Sequence, residues 1–172
     1  MSHIYLLGFL DSGNITIGKQ LAERLQLNYV HTTDWIEQKA GTDLVSLYKE
    51  QGPSALTQLQ HEALQAIADG SPSVVAVSDH ADLTEESLDL FRKTGKTVYV
   101  QRTAERLYFR LRHDVKQPRL YDVENKAREE RIYAMLEERE PNYLQADIIV
   151  NCHTEEVPDI LNIIQPQLTS EG

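Results

Sequence analysis

The sequence predicts an α/β protein: one three-layer αβα domain around a five-stranded, mostly parallel sheet. Three observations carry this reading. Short apolar runs recur along the chain, at His3–Leu7, Asn28–His31, Ser73–Val77, Thr97–Gln101 and Ile148–Asn151. Between them lie segments whose apolar residues repeat at helical spacing. The intervening segments also leave room for the crossovers that parallel neighbours need. A chain of 172 residues fits a single domain, 1–172, burying roughly 70% of its unfolded surface.

Each element has its own signal. His3–Leu7 is rich enough in Ile, Tyr and Leu for a buried strand. In 15–25, Ile17, Leu21 and Leu25 recur at near-helical spacing, and Asn28–His31 follows as a second strand. Helices over 33–40 and 44–52 carry Asp34 and Asp43 near their starts, where carboxylates suit the helix dipole, and Asp34 is expected as an N-cap. In 54–69, Leu56, Leu59, Ala63, Leu64 and Ile67 share one face. Three valines mark Ser73–Val77 as the most strand-like piece. Thr84 caps the next helix, with Glu85 and Glu86 in its first turn, and Gly95 is expected to stop it. Strand 97–101, helix 104–111 and a polar, lid-like loop over about 112–122 come next. A long charged helix over 124–139 is expected to end at Pro141. The last strand, 148–151, precedes a closing helix over 157–168.

Composition narrows the function. The chain is 41% hydrophobic and 26% charged, with a formal charge of −10. That charge argues against broad nucleic-acid binding, which needs a basic face. No apolar run approaches the ~20 residues of a membrane span, and no secretory pattern opens the chain, so a cytoplasmic protein is expected. The single cysteine, Cys152, follows an apolar run and reads as a packed small hydrophobe. His3, His61, His113 and His153 are scattered singly and read as surface or loop residues. The acidic helix over 124–140 reads as a solvated face, and a homodimer or a partner protein stays open beside a monomer.

In a doubly wound sheet, ligands bind beyond the carboxyl ends of the strands. After the first strand the chain reads "GFLDSGNIT", with Gly8 and Gly13 spaced as in a phosphate-binding loop and a helix following at once. Such a loop needs Gly-Lys-Ser or Gly-Lys-Thr: backbone N–H groups cradle the phosphates, Lys reaches the β- and γ-phosphates, and the hydroxyl holds Mg²⁺. Here Asn14 follows Gly13, then Ile15 and Thr16. A one-residue shift on a helix turns the Thr16 hydroxyl by about 100°. Asp11, His31, Asp79 and His80 also lie at strand ends one to three, a set able to act as a weak metal site, an acid–base pair or a hydrogen-bonded rim. No compact metal motif accompanies them, so no metal is expected.

The ordered set of motifs resembles the shikimate kinase family, a nucleoside-monophosphate-kinase-like branch of P-loop kinases. "IYLLGF" with "IGKQLAERL", "DWIEQKAG", "LYKEQGPSAL", "VVAVSDHA", "ERLYFRLRHDVKQPRLY" and "LEEREPNYLQADIIV" carry the resemblance from Ile4 to about Leu168. It implies an ATP-dependent shikimate 3-phosphotransferase of aromatic amino acid biosynthesis, with ATP and Mg²⁺ as cofactors if that function is retained. Residue by residue, the implied chemistry is mostly altered. Asn14 stands at the loop lysine and Ile15 at the magnesium ligand, while Asp11 puts a carboxylate beside the bound anion. At 4–6 Å that repulsion is on the order of 2–4 kcal/mol at an intermediate dielectric.

On the acceptor side the family's Asp-Thr-Asp becomes His31, Thr32 and Thr33. A substrate-gripping arginine becomes Thr57, its neighbouring acid Gln60, and three glycines become Ser78, Asp79 and His80. In the lid, Gln117 replaces the arginine expected at the transferring phosphoryl, flanked by Lys116 and Arg119. Arg110 matches the adenine-side arginine and Arg139 the second substrate arginine, each also able to sit in an ion pair. If binding is retained, Gly8, Gly13, Asn14, Thr16 and Arg110 would face the nucleotide, and Arg139, Thr33 and Thr57 the substrate. The expectation is an inactive or repurposed kinase scaffold. A kinase of weak activity or altered specificity, using ATP and a shikimate-like acid, and a small-ligand or metal-binding module remain as alternatives.

Overall fold

Five parallel strands in the order β2-β3-β1-β4-β5 form the centre of the computed structural model, which describes residues 2–152 and 156–170. They are β1 (His3–Leu7), β2 (Asn28–His31), β3 (Ser73–Ala76), β4 (Gly95–Gln101) and β5 (Ile148–Asn151). Eight helices pack around them: α1 (Asn14–Leu25), α2 (Thr32–Ala40), α3 (Leu44–Gln51), α4 (Pro53–Ala68), α5 (Glu85–Thr94), α6 (Ala104–Leu111), α7 (Asn125–Tyr143) and α8 (Val157–Thr169). Every strand pairing is parallel, with Ile4 opposite Val74 and Leu6 opposite Val98 in register. The sheet is therefore fully parallel, and helices cover both faces.

Alternation along β1 divides the core. Ile4 and Leu6 pack with Ile17 and Leu21 of α1, Val98 and Val100 of β4, and Ile160, Leu161 and Ile164 of α8. Tyr5 and Leu7 point to the other face, against Leu64, Val75, Phe91, Tyr99 and Tyr143. Burying each such side chain contributes roughly 1.5–3 kcal/mol. Cys152 is fully buried in the first cluster, as its sequence context predicts. A thiol reagent is expected to label it about 100-fold more slowly in native buffer than in denaturant. Equal rates would show that the end of β5 opens readily.

Several boundaries differ from expectation for identifiable reasons. Asp34 is not the N-cap of α2; that helix starts at Thr32 with His31 as its cap residue, and Asp34 lies in the first turn with its carboxylate 3.5 Å from His31 Nδ1. Pro141 does not end the long helix, which runs on to Tyr143. The proline removes one late hydrogen bond, but Leu144 N still reaches Glu140 O at 2.9 Å and the Tyr143 ring packs 5.2 Å from Tyr99. Gly95 ends α5 as expected, its N–H donating to Phe91 O, but it does so in extended backbone and already begins β4, two residues before the expected start of that strand. A side chain there would bring its Cβ within 2.2 Å of His3 O, so the close strand pairing explains the glycine. His3 is buried in β1, not at the surface. His61 lies on α4, 3.7 Å from Glu86, and His113 is exposed, while His153 lies outside the described residues.

Candidate functional site at the carboxyl ends of the strands

A cavity of about 370 Å³ opens where β1, β2 and β3 end. Its walls are the loop from Gly8 to Thr16, His31 and Thr33, the run Val77–His80, Arg110 of α6, and Asp114 and Gln117 of the following loop. The parallel topology dictates this place, because all the strands deliver their following loops to one edge.

The first loop folds as the sequence spacing implies. Gly13 adopts φ 100°, the left-handed region where a Cβ is strained, and Ile17 N closes the first helical bond to Gly13 O at 3.0 Å. Asp11 also has a positive φ of 54°, which a short polar side chain tolerates. A buried guanidinium, Arg102, holds the loop from behind: Nε donates to Ser12 O at 2.8 Å, and Nη1 donates to Cys152 O. Asn14 is buried and turns inward, its Nδ2 donating to Leu6 O at 3.4 Å. Ile15 is 45% exposed, and Thr16 is exposed beside it.

The cations expected to grip a ligand face carboxylates of the chain itself. Arg110 forms a two-pronged pair with Asp11, with Nε to Oδ2 at 3.2 Å and Nη2 to Oδ1 at 3.1 Å. Arg139 is buried, with Nη1 2.6 Å from Asp79 Oδ2 and Nη2 3.2 Å from Asp82 Oδ1. Its sequence neighbours Glu137, Glu138 and Glu140 are not the partners that bind it. Burial pushes the Asp79 carboxyl up to about 7, outweighing the pull of Arg139. Burial also drives the His80 imidazole down to about 3, helped by His31 and Arg139, so it is neutral near pH 7. His31 is lowered too, mainly by burial.

Thr32 and Gln60 fasten the third strand's loop. Thr32 Oγ1 accepts from Ser78 N at 2.8 Å, and Gln60 Nε2 donates to Ser78 O at 2.7 Å. Thr57 does not line the cavity; its hydroxyl donates back to Pro53 O at 3.3 Å on α4. Thr33 and Gln117 do line it. Lys116 is exposed and away from the lining, and Arg119 turns to Asp82 at 3.3 Å. Asp11, His31, Asp79 and His80 share the cavity as the sequence suggests. Among the described residues, however, no three His, Cys, Asp or Glu side chains are placed to hold a metal ion. Asp11 and Asp79 are instead engaged by arginines.

Two arginines that sequence reasoning passed over shape the site. Arg102 is one. Arg128 of α7 is the other, donating to Val123 O at 2.7 Å, Leu111 O at 2.8 Å, Asp114 O at 2.6 Å and Leu120 O at 2.6 Å. It ties both ends of the loop over 112–124 to one point. A signal was present: Arg128, Ile132, Met135, Leu136, Arg139 and Tyr143 fall on the single buried face of α7.

With this geometry in view, comparison with known proteins places the chain. The family profile described as shikimate kinase matches residues 12–168. This chain belongs to the shikimate kinase family. A shikimate kinase of Francisella tularensis subsp. novicida is 32% identical over 171 residues, covering 98% of this chain and 96% of that protein. Among solved structures, shikimate kinase from Acinetobacter baumannii in complex with shikimate aligns with a TM-score of 0.91 at 22% identity. The alignment covers 99% of this chain and 94% of that one. Shikimate kinase from Bacteroides thetaiotaomicron aligns with a TM-score of 0.87 at 26% identity, covering 97% and 98%. The P-loop kinase fold expected from the sequence is therefore the fold of this family member.

Proposed function

We propose that this member of the shikimate kinase family has lost ATP-dependent phosphorylation of shikimate and keeps the fold as a binding scaffold. One observation carries the reading: Arg110 is the one guanidinium or ammonium group among the described residues lining the cavity, and Asp11 already neutralises it. Phosphoryl transfer depends on positive charge and aligned donors at the migrating group. The residues present do not fit Mg²⁺ and a nucleoside triphosphate. Asn14 points its amide back into the fold, Ile15 offers no oxygen, and Asp11 sets a carboxylate at the mouth of the loop. Removing one preorganised donor typically lowers turnover by about 10²–10³-fold, and several are altered together.

A coupled assay of the purified chain with ATP, Mg²⁺ and shikimate is expected to show no turnover above background. Turnover near the ordinary ~1–100 s⁻¹ of kinases would overturn the proposal. The double substitution Asn14→Lys with Asp11→Gly supplies a further check. It is expected to raise ATP affinity at least about tenfold, because it adds a cation and removes the competing carboxylate.

A further inference from the structure

The loop over 112–124 leaves α6 on the β4 side of the sheet, yet it makes contacts on the β2 side. In the order β2-β3-β1-β4-β5, two strands separate β4 from β2, a span of roughly 14 Å at ordinary strand spacing. The segments that follow those two strands, from Gly8 to Thr16 and from Val77 to His80, line the cavity. A stretch of chain that bridges this span therefore joins the two flanks of the cavity.

Side chains of the loop make that bridge. Arg119 Nη2 pairs with Asp82 Oδ2 at 3.3 Å, reaching the segment that follows β3. Further along, the Tyr121 ring meets Tyr48 of α3 edge to face, with centroids 6.5 Å apart and planes at 75°. Lys49 Nζ lies 4.5 Å from the centroid of the same Tyr121 ring. Both arrangements are attractive for a π system. Tyr48 in turn packs against the cluster of Ile36, Leu44 and Leu47, which carries the contact into α2 and α3. The other end of the bridge is anchored as well. Arg128 holds Leu120 O and Val123 O on either side of Tyr121, and Leu120 is buried against α6 and α7. Tyr121 thus stands on a fixed base with its ring extended to α3. Each contact joins groups of the chain itself and needs no ligand to form.

We infer that Tyr121, Tyr48 and Lys49 form a clasp that joins the 112–124 loop to α3, and that its release opens the cavity to ligands. Tyr48 and Tyr121 are half-buried and Lys49 is exposed, so the clasp is weaker than the buried Arg128 base. The clasp therefore opens while the base of the loop stays in place. The inference does not depend on whether phosphoryl transfer has been lost.

A thiol placed on the cavity wall tests this. Thr33 lines the cavity with its hydroxyl sealed from solvent, so the thiol of Thr33→Cys reacts only when the wall opens. Labelling is followed by peptide mass spectrometry, which separates this thiol from Cys152. Adding Tyr121→Ala is expected to speed labelling at position 33 about tenfold, and adding Lys49→Ala about threefold. Tyr121→Phe keeps the ring and is expected to keep the slow rate. Cys152, buried in another cluster, is expected to label at the same rate in all of these variants. Amide exchange in Tyr121→Ala without the added cysteine is expected to rise over 44–51 and 112–124 and to stay level in β1. An unchanged labelling rate in Tyr121→Ala, a Tyr121→Phe rate equal to it, or an equal acceleration at Cys152 would each overturn the inference. If Thr33→Cys does not fold, unchanged exchange over both segments in Tyr121→Ala overturns it.

Discussion

Replacing Arg128 with methionine is expected to lower the unfolding free energy by about 3–5 kcal/mol, measured by urea denaturation. The guanidinium is buried, and it serves four backbone carbonyls from three stretches of chain, at Leu111, Asp114, and Leu120 with Val123. Bonds from a charged donor contribute ~1.5–3 kcal/mol each, and a carbonyl left buried without a partner costs about 1–3 kcal/mol. Relaxation of the loop toward water recovers part of the total, which keeps the expected loss below the simple sum. Lysine is not expected to restore stability, because a single ammonium cannot fork to carbonyls lying on different sides. Amide hydrogen exchange should accelerate most over 112–124. A loss below about 1 kcal/mol would show that the loop is held by its apolar contacts, chiefly Leu120 against α6 and α7.

The second large effect is on pH dependence. Asp79 carries a folded-state pKa of about 7 against 3.8 unfolded. Between about pH 4 and 7 the folded chain holds a proton that the unfolded chain has released, so this group makes stability fall as pH rises. His80 works in the opposite direction, with about 3 folded against 6.5 unfolded. Over the same range the unfolded chain binds the proton and the folded chain does not, so stability rises with pH. The two slopes nearly cancel between about pH 4 and 6.5, and these two groups together should leave a shallow profile there. Asp79→Asn removes one slope and leaves the other. Relative to the parent, its stability is expected to climb by up to ~3 kcal/mol from pH 4 to 6.5, since each unit corresponds to 1.36 kcal/mol. Parallel profiles for the parent and Asp79→Asn would show that Asp79 stays ionised beside Arg139 throughout.

Sequence reasoning located the strands well because their signals are local and redundant. Three adjacent valines in β3, or Ile-Tyr-Leu-Leu in β1, have few other places to go than a buried parallel sheet. It also placed Gly8–Thr16, His31, Thr33, Asp79 and His80 around one cavity, since topology alone brings those loops together. It erred where a distant contact decides a local outcome. Pro141 signals a helix end, yet Tyr143 packing on Tyr99 extends the helix past it. Thr57 differs for a local reason instead: its hydroxyl bonds to Pro53 O one turn back on its own helix. The pairings of Arg110 with Asp11, 99 positions apart, and of Arg139 with Asp79, 60 apart, leave no trace in either neighbourhood of the chain. Arg102 is the hardest case: nothing next to it announces that its partners are Ser12 and Cys152.

The position of β1 at the middle of the sheet also governs how the chain can be made. Its neighbours are β3 and β4, so its first partner begins at Ser73 and its second at Gly95. At ~5–20 residues per second, the apolar segment around Ile4–Leu7 leaves the ribosome several seconds before either partner exists. The long sequence separation of these pairings also slows their formation once the chain is complete. During that interval the same residues that later form a fully buried strand are an apolar, unpaired segment of the nascent chain. Protein quality control should therefore meet β1 before either of its partners, and slowing synthesis ahead of residue 95 should increase aggregation more than slowing it afterwards.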